Sequence, residues 1–135
     1  MNVKMTQESR SLPSPKELGV SVVIPAYNEE GAIKREVGLV HGALKDTGWP
    51  FEVIVVDDGS DDRTAEQAES SEARVLTHGA NKGYGAALKT GVRNAKYGII
   101  CITDADGTYP PAAIPKLVAL LEEQQSHSCL LYTSD

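Results

Sequence analysis

The sequence predicts an α/β fold with a mostly parallel sheet flanked by helices, and three observations carry that expectation. From Gly19 onward, short β-branched runs alternate with longer segments of helical period, as in successive βαβ units. The β-branched runs are almost continuously apolar, as strands covered on both faces are. Each of the strongest runs then exits into a polar turn of Asp, Asn, Gly or Ser.

Taken in order, Met1 to Leu18 mixes charges with Ser and Pro and lacks an apolar h-region, so it reads as a flexible polar leader rather than a secretory signal. The first strand is Val20 to Pro25. Ile33, Val37, Val40 and Leu44 then repeat at steps of four, three and four, forming one apolar helical stripe that ends near Gly48. A second strand, Phe51 to Asp57, leads through a Gly59-Ser60 turn into a short helix, Asp62 to Ser71, with acidic residues in its first turn, where they complement the helix dipole. The third strand is Arg74 to His78. Leu88, Val92 and Ala95 mark one face of the next helix, which begins near Gly83. The fourth strand, Ile99 to Asp104, precedes a helix carrying Ile114, Leu117, Val118 and Leu121. A fifth strand over Cys129 to Tyr132 is the weakest of the set, because Cys129 to Asp135 resembles adapter read-through more than native chain. The expected organisation is thus a leader over 1–18, a domain over 19–125 truncated at its C-terminal side, and a non-native tail over 126–135.

At 135 residues the chain is the size of one domain and long enough to bury a core without staples. With 13 Lys+Arg against 19 Asp+Glu, its net charge of −6 leaves no broad basic surface for nucleic acid, so no nucleic-acid partner is expected. A hydrophobic share of 41% is ordinary for a globular protein. No apolar run approaches the ~20 residues that span a bilayer, and the expected location is cytoplasmic, at most at the cytoplasmic face of a membrane. Cys101 and Cys129 sit in apolar surroundings and are expected to be free thiols. His41, His78 and His127 have no metal-ligand spacing.

In an open parallel sheet, ligands bind beyond the carboxyl ends of the strands. The residues there are Pro25-Ala26-Tyr27-Asn28-Glu29, Asp57-Asp58-Gly59-Ser60 and Asp104-Ala105-Asp106-Gly107. Any one of these turns is explained by turn chemistry alone, but three acidic turns on one edge make a constellation that recruits a cation. Oxygen ligands select a hard one, and Asp104 and Asp106 suit Mg²⁺ or Mn²⁺ with positions left open for phosphate oxygens. Between the third strand and its helix, Gly79-Ala80-Asn81-Lys82-Gly83-Tyr84-Gly85 offers backbone amides and one positive charge to a phosphate. It is neither a P-loop nor a dinucleotide fingerprint, since no Gly-Lys-Ser/Thr closes it and the G-x-G-x-x-G spacing breaks at Leu88.

These residues resemble the family 2 glycosyltransferases, within them the dolichyl- or polyprenyl-phosphate sugar synthases. The likeness runs from about Val20 to Leu121. It is carried by Val23-Ile24-Pro25-Ala26-Tyr27-Asn28-Glu29-Glu30, Val55-Val56-Asp57-Asp58-Gly59-Ser60 with Asp62 and Thr64, Asn81-Lys82-Gly83-Tyr84-Gly85-Ala86-Ala87, and Asp104-Ala105-Asp106-Gly107. The resemblance implies a Rossmann-like GT-A nucleotide-sugar-binding fold and an inverting transfer of sugar from a nucleoside-diphosphate sugar to a polyprenyl phosphate or glycan acceptor. It also implies that Pro25, Ala26, Tyr27, Asn28, Glu29 and Asp57 hold base and ribose, with Asp58 nearby, and that Lys82 lies near the diphosphate. Asp104 and Asp106, with Ala105 between them, would hold a metal bridging the two phosphates. Two departures stand out. Tyr109 occupies a position where many lipid-phosphate sugar synthases carry Gln, and the acceptor-side half with its catalytic base has no counterpart in this chain.

Two other readings fit some of the same residues. Ile102-Thr103-Asp104-Ala105-Asp106-Gly107-Thr108 is also similar to the first motif of haloacid-dehalogenase-type phosphatases, with Asp104 as nucleophile and Asp106 as general acid or base. That motif normally follows the first strand, whereas here three βα units precede it. A donor half by itself would instead bind nucleotide without turnover.

Overall fold

The computed structural model describes residues 14–105, 110–123 and 130–132, with backbone alone for 121–123 and 130–132. The elements, in chain order, are α1 (Pro15–Leu18), β1 (Val20–Ala26), α2 (Ile33–Leu44), β2 (Phe51–Asp57), α3 (Thr64–Glu69), β3 (Arg74–Thr77), α4 (Tyr84–Arg93), β4 (Ile99–Ile102), a 3₁₀ turn (Pro111–Ala113), α5 (Ile114–Glu123) and β5 (Leu130–Tyr132). The strands form one sheet in the order β3-β2-β1-β4-β5, with every neighbouring pair parallel. The chain walks outward from β1 to β3 and then crosses back to lay β4 on the other side of β1. Such a reversal leaves a crevice at the carboxyl ends of β1 and β4.

The continuous apolar runs are explained by what lies on each face. Val20, Val22 and Ile24 of β1 pack with Val53 and Val55 of β2 against Ile33, Val37, Val40 and Leu44 of α2, with Ala68 of α3 and Ile114 and Val118 of α5 in the same cluster. On the other face, Val23, Ile54, Val56 and Ile102 pack against Ala87 and Leu88 of α4. Period-two alternation therefore feeds two cores, so both faces of every central strand are apolar. Cys101 belongs to the first core as a free thiol, and burial pushes it up to about 12, away from nucleophilic chemistry.

Three local results differ from the sequence expectation. The leader expected to reach Leu18 includes α1, where Ser14 and Glu17 form a reciprocal capping box behind Pro15 at the first turn. The short third helix is confined to Thr64–Glu69. Leu130–Tyr132, named above both as part of a fifth strand over Cys129 to Tyr132 and as part of a tail, forms the strand and pairs in parallel register with Ile100–Ile102 of β4. Residues 1–13, 106–109, 124–129 and 133–135 lie outside the described residues, and with them Cys129 and His127.

The amino ends of the strands are tied by one carboxylate. Glu52 Oε2 accepts from the Ser21 hydroxyl at 2.7 Å and from the Lys96 amide at 2.6 Å, while its Oε1 accepts from Arg74 at 3.1 Å. Ser21 in turn accepts from the Tyr97 amide at 3.0 Å, so this buried hydroxyl on the central strand is satisfied. Among the described residues, no helix is long and apolar enough to cross a membrane.

Helix α4 lies close to β1 because Gly91 faces Val23. A Cβ at Gly91 would sit 2.3 Å from Val23 Cγ1, a contact that the helix or the packed Val23 side chain must move to relieve. Gly91→Ala is expected to lower stability by about 1–3 kcal/mol, the usual cost of overpacking a core, with a reduced urea midpoint at unchanged slope as the readout.

Candidate functional site

At the carboxyl edge of the sheet, where β1 and β4 adjoin, lies a cavity of about 360 Å³. It is lined from four segments: Pro25 and Ala26 at the end of β1 with Tyr27 and Glu29 just beyond it, Asp58 after β2, Asn81 with Gly83, Tyr84 and Ala87 at the start of α4, and Asp104 with Ala105 after β4. Tyr27 and Tyr84 are 43% and 45% exposed, so two aromatic rings stand half-open to solvent at one cavity. The sequence-derived residues Pro25, Ala26, Tyr27, Glu29, Asp58, Asp104 and Ala105 thus converge on one space. Asn28, Asp57 and Lys82 do not line it, and Asp106 lies outside the described residues. Tyr84 and Asn81 were singled out by sequence only as parts of a glycine-rich stretch.

Asn28 belongs to a clasp between two loops. It adopts the left-handed backbone conformation (φ 53°), alone among the described non-glycine residues, which Asn tolerates better than most. Its amide donates to Ser60 Oγ at 2.8 Å and its side-chain oxygen accepts from the Asp61 amide at 2.9 Å. Alongside, the Glu29 amide donates to Thr64 Oγ1 at 2.8 Å, the Glu30 amide to Asp62 Oδ2 at 3.2 Å, and the Arg63 amide to Glu30 Oε1 at 2.9 Å. Side chains of each loop satisfy amides of the other, which is why the pattern Asn28-Glu29-Glu30 accompanies Ser60, Asp62 and Thr64. Asp57 closes its own turn by accepting from the Ser60 amide at 3.2 Å.

Asp58 is a carboxylate engaged on both oxygens. It is buried, and its Oδ1 accepts from the Lys82 amide at 2.9 Å and faces His78 Nδ1 at 2.8 Å, while Oδ2 accepts from the Gly83 amide at 2.9 Å. The Asp58 carbonyl also accepts from the Asn81 side chain at 3.3 Å. Burial by itself would raise this carboxyl, but the hydrogen bonds from His78 and from the two amides together outweigh it and hold it below the ordinary carboxylate range. Gly59 lets the two turns touch: it has φ +75°, and a Cβ there would lie 2.5 Å from the backbone of Ala80 and Asn81.

This corrects one expectation. Of the backbone amides between Gly79 and Gly85 that the sequence offers to a phosphate, those of Lys82 and Gly83 already serve Asp58. Lys82 itself is exposed, with its side chain outside the cavity lining.

Asp104 is half-buried at the end of β4, and the Tyr84 hydroxyl donates to its Oδ1 at 3.4 Å. Among the described residues, no three His, Cys, Asp or Glu side chains are grouped to hold a metal. The carboxylate residues among the described cavity lining are Glu29, Asp58 and Asp104, of which Asp58 turns its oxygens to His78 and the loop amides; the lining holds no thiol or imidazole. That donor set fits a hard divalent cation held by few protein ligands, whose remaining positions go to ligand oxygens.

Because the folded pKa of Asp58 is lowered, its stabilisation is complete above the ordinary carboxylate range and is lost as pH falls through the depressed value. Asp58→Asn keeps one acceptor but sets an NH₂ against the loop amides, at an expected cost of about 1–3 kcal/mol near neutral pH. Urea midpoints measured from pH 7 down to pH 2 should fall less steeply in this variant than in the parent; identical acid profiles would remove Asp58 as the source.

The Glycosyl transferase family 2 model matches residues 21–132. The undecaprenyl-phosphate 4-deoxy-4-formamido-L-arabinose transferase of Pseudomonas paraeruginosa is 38% identical over 112 residues, covering 78% of this chain and 33% of the relative. Its namesake in Pectobacterium carotovorum is 39% identical over 105 residues, 73% of this chain and 32% of the relative. The chain therefore spans about a third of the length of these curated relatives. Among solved structures, the glucosyl-3-phosphoglycerate synthase of Mycobacterium tuberculosis in complex with Mn²⁺, UDP and phosphoglyceric acid superposes with a TM-score of 0.68 at 31% identity, covering 78% of this chain and 39% of that one. Nothing in the fold or in these relatives supports the phosphatase reading of Asp104. A parallel sheet of GT-A type, a crevice at the β1/β4 reversal and a family match over most of the described residues lead to one assignment: the chain belongs to glycosyl transferase family 2.

Proposed function

We propose that this chain carries the donor-binding half of an inverting glycosyltransferase that moves a sugar from a nucleoside diphosphate to a polyprenyl phosphate. The observation that carries the reading is the convergence of Pro25 to Tyr27, Glu29 and Asp104 on one cavity at the carboxyl edge of the sheet. A volume of about 360 Å³ lies within the range of small-ligand sites. The printed names of the relatives support a polyprenyl-phosphate acceptor, and the UDP-bound structural neighbour supports a nucleotide donor.

In this reading Pro25 to Glu29 receive base and ribose, with Tyr27 presenting a half-exposed ring. Asp57 and Asp58 hold the second wall in place. The ammonium group of Lys82 reaches the diphosphate from the exposed loop. Asp104 and Asp106 hold Mg²⁺ or Mn²⁺, which when bound neutralises charge developing on the leaving diphosphate. A lipid phosphate is already anionic and needs less base assistance than a hydroxyl, so the donor side has the larger part in the chemistry supplied by these residues. An acceptor of that kind would bring the full-length protein to the cytoplasmic face of a membrane.

Calorimetric titration of UDP, GDP and CDP, each with and without Mn²⁺, tests the reading. One nucleotide is expected to bind in a metal-dependent way. Asp104→Ala and Asp106→Ala should each weaken that binding by roughly tenfold or more, equivalent to about 1.4 kcal/mol, without unfolding the chain. Affinity in the presence of Mn²⁺ that is unchanged in both variants would refute the metal role, and binding of none of the three by the folded protein would count against the donor site.

A further inference from the structure

The side chain of His78 is 8% exposed and does not line the cavity, yet both of its ring nitrogens are engaged. Nδ1 lies 2.8 Å from Asp58 Oδ1 and Nε2 lies 2.8 Å from Thr90 Oγ1. Since an ionised carboxylate only accepts, Nδ1 carries a proton and donates to Asp58, whereas the Thr90 hydroxyl can serve Nε2 in either sense. Thr90 sits on α4 and the His78 amide donates to the Asp57 carbonyl at 2.9 Å, so the ring is braced from both the helix and the second strand.

The consequence falls on the cavity wall. Asp58 Oδ1 is shared by His78 and the Lys82 amide, and Oδ2 takes the Gly83 amide, so the ring sets the rotation at which the carboxylate meets both amides. Asn81, Gly83 and Tyr84 of that loop and helix start line the cavity. Without the ring, the carboxylate loses the contact that orients it, and the loop must be ordered anew each time a ligand binds. We propose that His78, braced by Thr90, is a positioning residue for the donor cavity, acting through Asp58 to hold the Asn81–Gly83 loop in its ligand-ready shape. The link to the donor rests on the nucleotide-binding reading above; the link to the loop does not.

The test compares the parent with His78→Phe, His78→Asn and Thr90→Val. Amide exchange by NMR is read at Lys82 and Gly83, with Val22 to Ile24 as the control for an intact sheet, and UDP, GDP and CDP are titrated in the presence of Mn²⁺. His78→Phe should speed exchange at Lys82 and Gly83 by roughly tenfold or more with the control unchanged, and weaken binding of the preferred nucleotide by a similar factor. His78→Asn, whose side-chain NH₂ replaces the Nδ1 donor, should restore both to within about threefold of the parent. Thr90→Val should shift the ring ¹⁵N resonances of His78 and raise loop exchange by a smaller factor, which decides the matter if the Phe variant fails to fold. Unchanged exchange at Lys82 and Gly83 in the folded variants, or an Asn variant no better than the Phe variant, would overturn the proposal. A parent that binds none of the three nucleotides would bring down the donor reading, and the exchange arm would still decide whether His78 positions the loop.

Discussion

A single buried carboxylate holds the working edge of this molecule together. Asp58 stands at the carboxyl end of β2, and its three partners come from the end of β3 and from the loop that starts α4. A carboxylate in that position is tolerated only because every bond it makes comes from an N–H donor fixed by the fold. The relation runs both ways, since those amides stand at a helix start where the helix itself leaves them unpaired. Gly59 is the steric counterpart of this arrangement, because any side chain there would push the two turns apart.

The acidic residues that crowd the carboxyl edge divide into two kinds. Asp57 turns an oxygen toward an amide of its own turn, and Asp58 and Asp62 toward amides of neighbouring loops, and so they set the backbone. Glu29 and Asp104 face the cavity. Sequence alone treats them all alike, as one cluster of negative charge. Hydrogen bonding does not remove the charge of this first group: Asp58 and Asp62 are held below the ordinary carboxylate range and stay ionised, so their negative charge adds to that of the cavity carboxylates. The loop clasp from Asn28 to Thr64 likewise turns side-chain oxygens onto backbone amides of the facing loop, beside the cavity residue Glu29.

At the opposite edge, Glu52 performs a related task for the amino ends of the strands, gathering Ser21, Lys96 and Arg74. The two networks close the sheet at both ends, while the apolar faces of β1 and β2 bury against helices on either side. Rigidity at both edges suits a parallel sheet whose ligand site is assembled from four separate segments, because each segment contributes only one to four residues and none could position a ligand by itself.

Period-two runs covered on both faces and period-3.6 stripes between them determine, from the sequence alone, the α/β class, the four main strands to within two residues, and the helices between them, although the helix expected to end near Gly48 stops at Leu44. The same local chemistry places three polar turns at strand ends, because Asp, Asn and Gly are turn formers whatever the fold. Which oxygens remain for a ligand was not legible, since hydrogen bonds such as Asn28 to Asp61 or Asp58 to Gly83 join residues more than twenty positions apart and leave no periodic trace. His78 and Thr90 were unreadable for the same reason: twelve residues and a helix start separate two side chains that meet at 2.8 Å. Strand order, and with it the crevice beside β1, came from the tertiary structure, because parallel strands joined by helices carry their pairing in packing rather than in any adjacent turn.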